Sequence, residues 1–520
     1  HQQIEHIHES LLFYDEHTFG ASESVSDPLC ENSQVQWGEK SAYAWEAVKR
    51  TQMLYETSVG LLQGDLRRGK NPTLTIFNTL NWKRSEMLTV YIDFEVIPRN
   101  QFFEITDFQG HSLKVQPIRY RREGCYYAIF AEDIPPMGYK TFEIVFKQPS
   151  TDTGTITINN ASIENHFYKL QLNPDKGTIQ SLYDKELNCE LVDSSSPWEL
   201  GAFIYEKLGN RDQLAQYRLD DYNRTGLSEC RIIDSSNGPI YQRILLQGKS
   251  PGTDEAFGVN LEIKLYHDTK RIELEYAIKR LPETDPSGIY VAFPFQLPEG
   301  KLAFDVQGGT VISGKNQLEG TSTDWNTVQN FVSVQNNQAQ IIIGSSLIPL
   351  YQLGDINLGK FQYQKQYERP HVYSWVMNNY WNTNFKASQE GEFRWSYHLT
   401  SSVDPSNNLA TKFGWSSRIP LYARVMPTGT ENHKPTEYSA FHFEKDNFLM
   451  TSCTPSKEEG YILLNIREID GKRTNLRILN EDGQTIPFTI VNAIEEKLEN
   501  ETSEHIFEGY QNKFIKIKRF

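Results

Sequence analysis

No run of about 18 apolar residues occurs in this 520-residue chain, so hydropathy offers no membrane-spanning helix. Basic residues are in deficit: 52 Lys and Arg stand against 67 Asp and Glu, a formal net charge of −15. Nucleic acids and anionic membranes are bound through basic patches that displace counterions, so neither is an expected partner. A neutral polyol or sugar suits that balance better. The five cysteines, Cys30, Cys125, Cys189, Cys230 and Cys453, include no Cys-x-x-Cys pair. A zinc knuckle and a thioredoxin-like motif are therefore excluded, and the thiols read mostly as small buried hydrophobes. Gly-x-Ser-x-Gly, a phosphate-cradling Gly-rich loop and His-Glu-x-x-His are missing too. So are internal repeats and low-complexity tracts. A soluble protein, cytoplasmic or periplasmic, is the expectation. Position 1 is His rather than an initiator Met, so processing or truncation is expected, and missing upstream sequence with it.

What is present divides into a short helical start and a long β-rich remainder. Residues 1–20 turn from polar to apolar at Leu11-Leu12-Phe13-Tyr14 and end in a loop at Gly20, while residues 21–36 read as loop. From Gln36 to Arg68 apolar residues recur at three- and four-residue steps, which predicts an amphipathic helix stopped near Gly69 and Pro72. From Thr73 the period drops to two, with strands expected at 87–92, 126–130 and 141–146, and Pro135-Pro136-Met137-Gly138 as a turn. The polar stretch 148–160 reads as a linker. Strands are then expected at 168–172, 179–183, 240–246, 259–266, 271–278, 289–295 and 339–343. They do not alternate with helices, which excludes β/α barrels and doubly wound sheets and predicts antiparallel sandwiches. The expected divisions are a helical part over 1–70, a small β-sandwich over 71–150, a large one over 151–404, and a loop-rich bridge with a last β-portion over 405–520.

Chemistry concentrates at two places. In Asp15-Glu16-His17, a His flanked by carboxylates reads as a zinc ligand with supporting groups, a general acid/base pair, or a polar helix end. His17 alone cannot hold zinc, which takes three or four protein ligands, and adjacent carboxylates are poorly placed to flank a scissile glycosidic bond. His6 and His8 make a poor helical metal pair. The second place is Asn378-Asn379-Tyr380-Trp381-Asn382-Thr383-Asn384-Phe385. Amides interleaved with aromatics suit a sugar, whose hydroxyls bond to amides while its C–H faces stack on rings. The same composition suits a buried turn whose amides bond to local backbone. Asp324-Trp325 and Tyr422 are weaker candidates of the same kind.

Seven stretches in order resemble the family-38 glycoside hydrolases, which are α-mannosidases. They are Asp15–Gly20, with Phe19 where bacterial members carry Trp, then Gln36-Trp37-Gly38-Glu39-Lys40, Phe77–Trp82, Ile163-Glu164-Asn165, Gly177–Asp184 with Phe293-Pro294-Phe295, and Asn378–Phe385. The resemblance implies a mainly β chain: the remnant of a three-helix bundle, then antiparallel β-sandwich domains including a galactose mutarotase-like supersandwich. It implies retaining, zinc-dependent hydrolysis of α-mannosides, with His17 as the one zinc ligand in this chain and the nucleophile, acid/base and remaining ligands upstream of it. Thr18, Asn379, Tyr380 and Trp381 are the residues it offers for substrate contact. No catalytic residue is expected in this chain, which alone should be inactive, and homo-oligomerisation is compatible with its β-surfaces. The alternatives are a stand-alone carbohydrate-binding β-sandwich protein and a polysaccharide lyase.

Overall fold

The computed structural model describes residues 2–16, 20–148 and 161–519. Two helices open the chain, α1 over Gln2–Asp15 and α2 over Glu31–Leu62. The second starts five residues before the expected Gln36, because the Cys30 side chain caps it by accepting from the Ser33 N–H. The two pack as a hairpin. Phe13 stacks on Tyr43 at 5.4 Å, and Lys40 donates to the Phe13 carbonyl at 3.1 Å, in the last turn of α1.

A small sandwich follows. One sheet holds Thr73–Asn78, Phe102–Thr106 and Gly138–Lys147, and the facing sheet holds Arg84–Asp93, Lys114–Tyr120 and Gly124–Ile134. Tyr422–Met426 and Glu437–Ser439, from the stretch read as the C-terminal portion, complete the first sheet. Asn78 pins the turn after the first strand: its amide donates to the Trp82, Ile134 and Pro135 carbonyls. The linker read at 148–160 lies, from residue 149, outside the described residues, as do His17 and Thr18.

The large sandwich sets a six-stranded sheet against a nine-stranded one, with a four-stranded sheet of Ser162–Glu164, Tyr168–Asn173, Thr178–Asp184 and Cys189–Glu190 joining the same core. Period-two patterning is visible in Val259–Tyr266, where Val259, Leu261, Ile263 and Leu265 face the core and Glu262 and Lys264 face away. Ser287–Phe293, central in the six-stranded sheet, is buried throughout. Ile289, Val291 and Phe293 face the sandwich core, while Tyr290 and Ala292 face a second apolar cluster on the outer side. That outer cluster supports the candidate site. Helix α3, Asn407–Arg418, lies on the nine-stranded sheet through Ala410, against Phe331 and Ile342. A four-stranded sheet around Phe448, Ile466, Ile490 and Ile515 forms the last β-portion.

Candidate functional site

The outer cluster of the six-stranded sheet is an aromatic nest. Trp375 lies parallel to Tyr290 at 5.8 Å and meets Trp325, Tyr380 and Trp381 at 5.7 to 5.8 Å. Trp325 and Trp381 are 5.5 Å apart. Such offset and tilted pairs match the ring quadrupoles and fix each plane. The strand Val372–Asn378 delivers Trp375, and the loop beyond it delivers Tyr380 and Trp381.

Asn379 and Tyr380 bond inward. The Asn379 carbonyl oxygen of the side chain accepts from the Ser287 N–H at 2.7 Å, and its amide donates to the Glu283 and Ala387 carbonyls. Tyr380 is fully buried, and its hydroxyl donates to Glu206 at 2.6 Å. Glu206, equally buried, also accepts from the Arg224 guanidinium and from Tyr290. Burial and the Tyr290 and Glu206 neighbours hold the Tyr380 phenol well above its ordinary range. Burial alone would lower Arg224; Glu206 outweighs it and raises the guanidinium instead. Gly288 permits this packing, since a β-carbon there would fall 2.0 Å from the Tyr380 hydroxyl. The loop is thus fastened from behind, and half-buried Trp381 turns toward a cavity of about 710 Å³.

That cavity lies between the aromatic loop and the helical hairpin. Tyr14, Val25 and Ser41 line one side, and Trp325, Trp375, Trp381 and the half-exposed Phe385 line the other. The two sides touch at Gly20, where a β-carbon would sit 2.0 Å from the Asn384 carbonyl and 2.9 Å from the Trp37 indole nitrogen. Trp37 donates to Ser24 at 3.2 Å, and Ser24 donates to the Ala21 carbonyl at 2.7 Å. Trp37 and Lys40, three apart on one helical face, therefore work together: one seats the loop after Gly20, the other takes the Glu16 carboxylate at 3.1 Å. The two stretches singled out in the sequence are neighbours. Trp375 lies outside the stretches that stand out in the sequence, within the strand Val372–Asn378. Its indole N–H is buried with no hydrogen-bond partner among the described residues, although the residue lines the cavity. Asp324 and Trp325 part company: Trp325 joins the nest, while burial raises the Asp324 carboxyl. Among the described residues no group of three or more His, Cys, Asp or Glu is placed to hold a metal.

A helical hairpin, a small sandwich and a large two-sheet sandwich with an aromatic nest on its outer face define a mainly β protein. Residues 163–361 match the model of the glycosyl hydrolases family 38 C-terminal domain. An α-mannosidase from Enterococcus faecalis V583 superposes with a TM-score of 0.67 at 12% identity, covering 93% of this chain and 60% of that one. A protein in glycosyl hydrolase family 38 from Enterococcus faecalis gives a TM-score of 0.66 at 13% identity, covering 93% and 62%. At such identities the likeness is one of fold. The chain spans about three fifths of the length of the solved structures it matches. No curated protein matches it.

Proposed function

We propose that this chain is the helical and β-sandwich portion of a retaining, zinc-dependent α-mannosidase, and that the cavity between the hairpin and the aromatic loop forms one wall of its sugar site. The contact of Gly20 with Asn384 carries the reading, because it sets the Asp15–Gly20 stretch beside the aromatic loop. The family 38 match over residues 163–361 supports it. In this reading Trp381 gives a sugar ring its stacking surface, Asn379 and Tyr380 hold that surface in place, and the unpartnered Trp375 indole N–H offers a donor to a hydroxyl. Thr18 adds a substrate contact.

His17 serves as one zinc ligand, with the remaining ligands and the nucleophile supplied from outside this chain. Zinc, when bound, would orient substrate hydroxyls and polarise the sugar. The described residues complete no ligand set by themselves; in this reading Asn379, Tyr380 and Trp381 bind and position the sugar. The test is purification of the full-length protein, with metal analysis and an aryl α-mannoside assay. Zinc and mannose release are expected, with His17→Ala losing metal and Trp381→Ala losing affinity for the mannoside about tenfold, as loss of a stacked ring predicts. A full-length protein with neither zinc nor hydrolysis would overturn the reading, and sugar binding without hydrolysis would favour the stand-alone binding protein.

A further inference from the structure

A second cavity, of about 840 Å³, shares no lining residue with the first. It falls in the range of about 300–1,000 Å³ typical of small-molecule sites. The outer face of the nine-stranded sheet forms its floor, the strand Arg84–Asp93 of the small sandwich one wall, and the end regions of α2 and α3 with the strand Tyr422–Met426 the other.

Its floor is polar and ordered. The Arg271 guanidinium donates to His398 Nδ1, which leaves the His398 Nε2 carrying the proton of the neutral ring. Burial and then the Arg271 charge push His398 down to about 3, so the ring stays neutral at ordinary pH. The Arg271 Nε–H is buried and has no partner among the described residues. Burial alone would raise Glu273, but the Lys264 ammonium outweighs it and keeps the carboxylate ionised, with Tyr266 donating to it at 2.7 Å. Half-buried Tyr55 and Tyr422 meet at 5.0 Å along the wall. The cavity thus offers N–H donors, carboxylate acceptors and ring faces together.

The charges select the ligand class. Glu56, Glu86, Asp93 and Glu273 line the cavity against Arg271 and Arg424. Glu56 is paired with Arg424, Glu86 with Arg84 and Glu273 with Lys264, so an anion would meet carboxylates beside cations that are already engaged, and an apolar molecule would strip water from these pairs without giving hydrogen bonds in return. Hydroxyl groups, each donor and acceptor at once, satisfy both kinds. We propose that this cavity is a second carbohydrate site that takes a short neutral oligosaccharide, separate from the wall formed by Trp381.

The experiment is calorimetric titration and saturation-transfer NMR of the chain with α-linked mannotriose and with maltotriose. Saturable binding of at least one is expected. Tyr55→Ala, a helix position that tolerates alanine, should weaken it about fivefold to tenfold, as loss of one ring face predicts. Arg271→Met should weaken it further, and Trp381→Ala should leave it in place. Because Tyr55 is a surface-helix residue, its variant remains informative if Arg271→Met does not fold. Absence of saturable binding, affinity unchanged in Tyr55→Ala, or binding lost in Trp381→Ala would overturn the proposal. Equal or tighter binding of a sulfated trisaccharide would overturn the choice of a neutral ligand. None of these outcomes depends on whether the full-length protein hydrolyses mannosides.

Discussion

Replacing Glu206 by Gln isolates what holds the aromatic loop. The carboxylate is fully buried and serves three partners: the Arg224 guanidinium, whose side chain is 14% exposed, Tyr380 at 2.6 Å and Tyr290 at 3.3 Å. Glutamine keeps the volume and one acceptor but leaves the guanidinium without its counter-ion. Breaking a buried pair from one side costs about 3–5 kcal/mol, mostly the penalty of the charge left behind. Arg224→Met should cost a similar amount for the mirror-image reason, and the double variant Glu206→Gln/Arg224→Met should cost less than the two singles added, since they share one interaction. Urea unfolding followed by tryptophan emission is the assay, because Trp375 and Trp381 pack against the phenol that Glu206 holds and Trp325 packs against both. A loss under about 1 kcal/mol, with additive singles, would refute the claim that this pair fixes the loop, since such a value belongs to a solvated surface pair.

Two further changes probe the molecule elsewhere. Gly20→Ala forces a β-carbon into the Asn384 carbonyl, so the hairpin and the aromatic loop must separate; a stability loss of about 1–3 kcal/mol and a shift in the Trp37 environment are expected, readable by unfolding and fluorescence. The His398 ring, neutral down to about 3 in the folded chain against an ordinary 6.5, takes up its proton earlier when unfolded. Its contribution is therefore complete above pH of about 6.5 and is lost as pH falls toward about 3. His398→Gln should flatten the fall in unfolding free energy across that window, and an unaltered slope would contradict the burial of a neutral ring beside Arg271, Glu273 and Lys264.

Much of the fold is legible because alternation survives wherever a sheet has one wet face. Val259–Tyr266 is read correctly for that reason. Ser287–Phe293 is buried on both faces, so its continuous apolar run announces a strand without saying which side chain looks where. Helix α3 lies in the stretch read as a loop-rich bridge. Its sequence, with two Asn at the start and Gly414 inside, has little intrinsic helicity, and its stability comes from Ala410 packing on the sheet and from the Ser406 cap. The aromatic loop is conspicuous by composition, yet only the fold shows that Asn379 and Tyr380 bond inward while Trp381 lines a cavity. Several of the motifs that carry the resemblance to family 38 are fasteners. Asn165 donates to the Tyr266 carbonyl at 2.6 Å, and Asp184 is fully buried against Lys270 and Ser401. Such residues satisfy buried backbone and charged groups, which marks architecture more directly than chemistry.

The pairing of Thr73–Asn78 with Tyr422–Met426, from Thr73 opposite Met426 to Phe77 opposite Tyr422, has a consequence for synthesis. A nascent chain releases the first of these strands long before the second, so a nearly fully buried segment waits with an unfilled hydrogen-bonding edge while the large sandwich emerges. The large sandwich is then a closing device as well as a scaffold, since its own folding draws the two ends of the small sheet together and removes much of the loop-closure entropy. A chain stopped after residue 404 would keep that edge open, and self-association would be its natural fate.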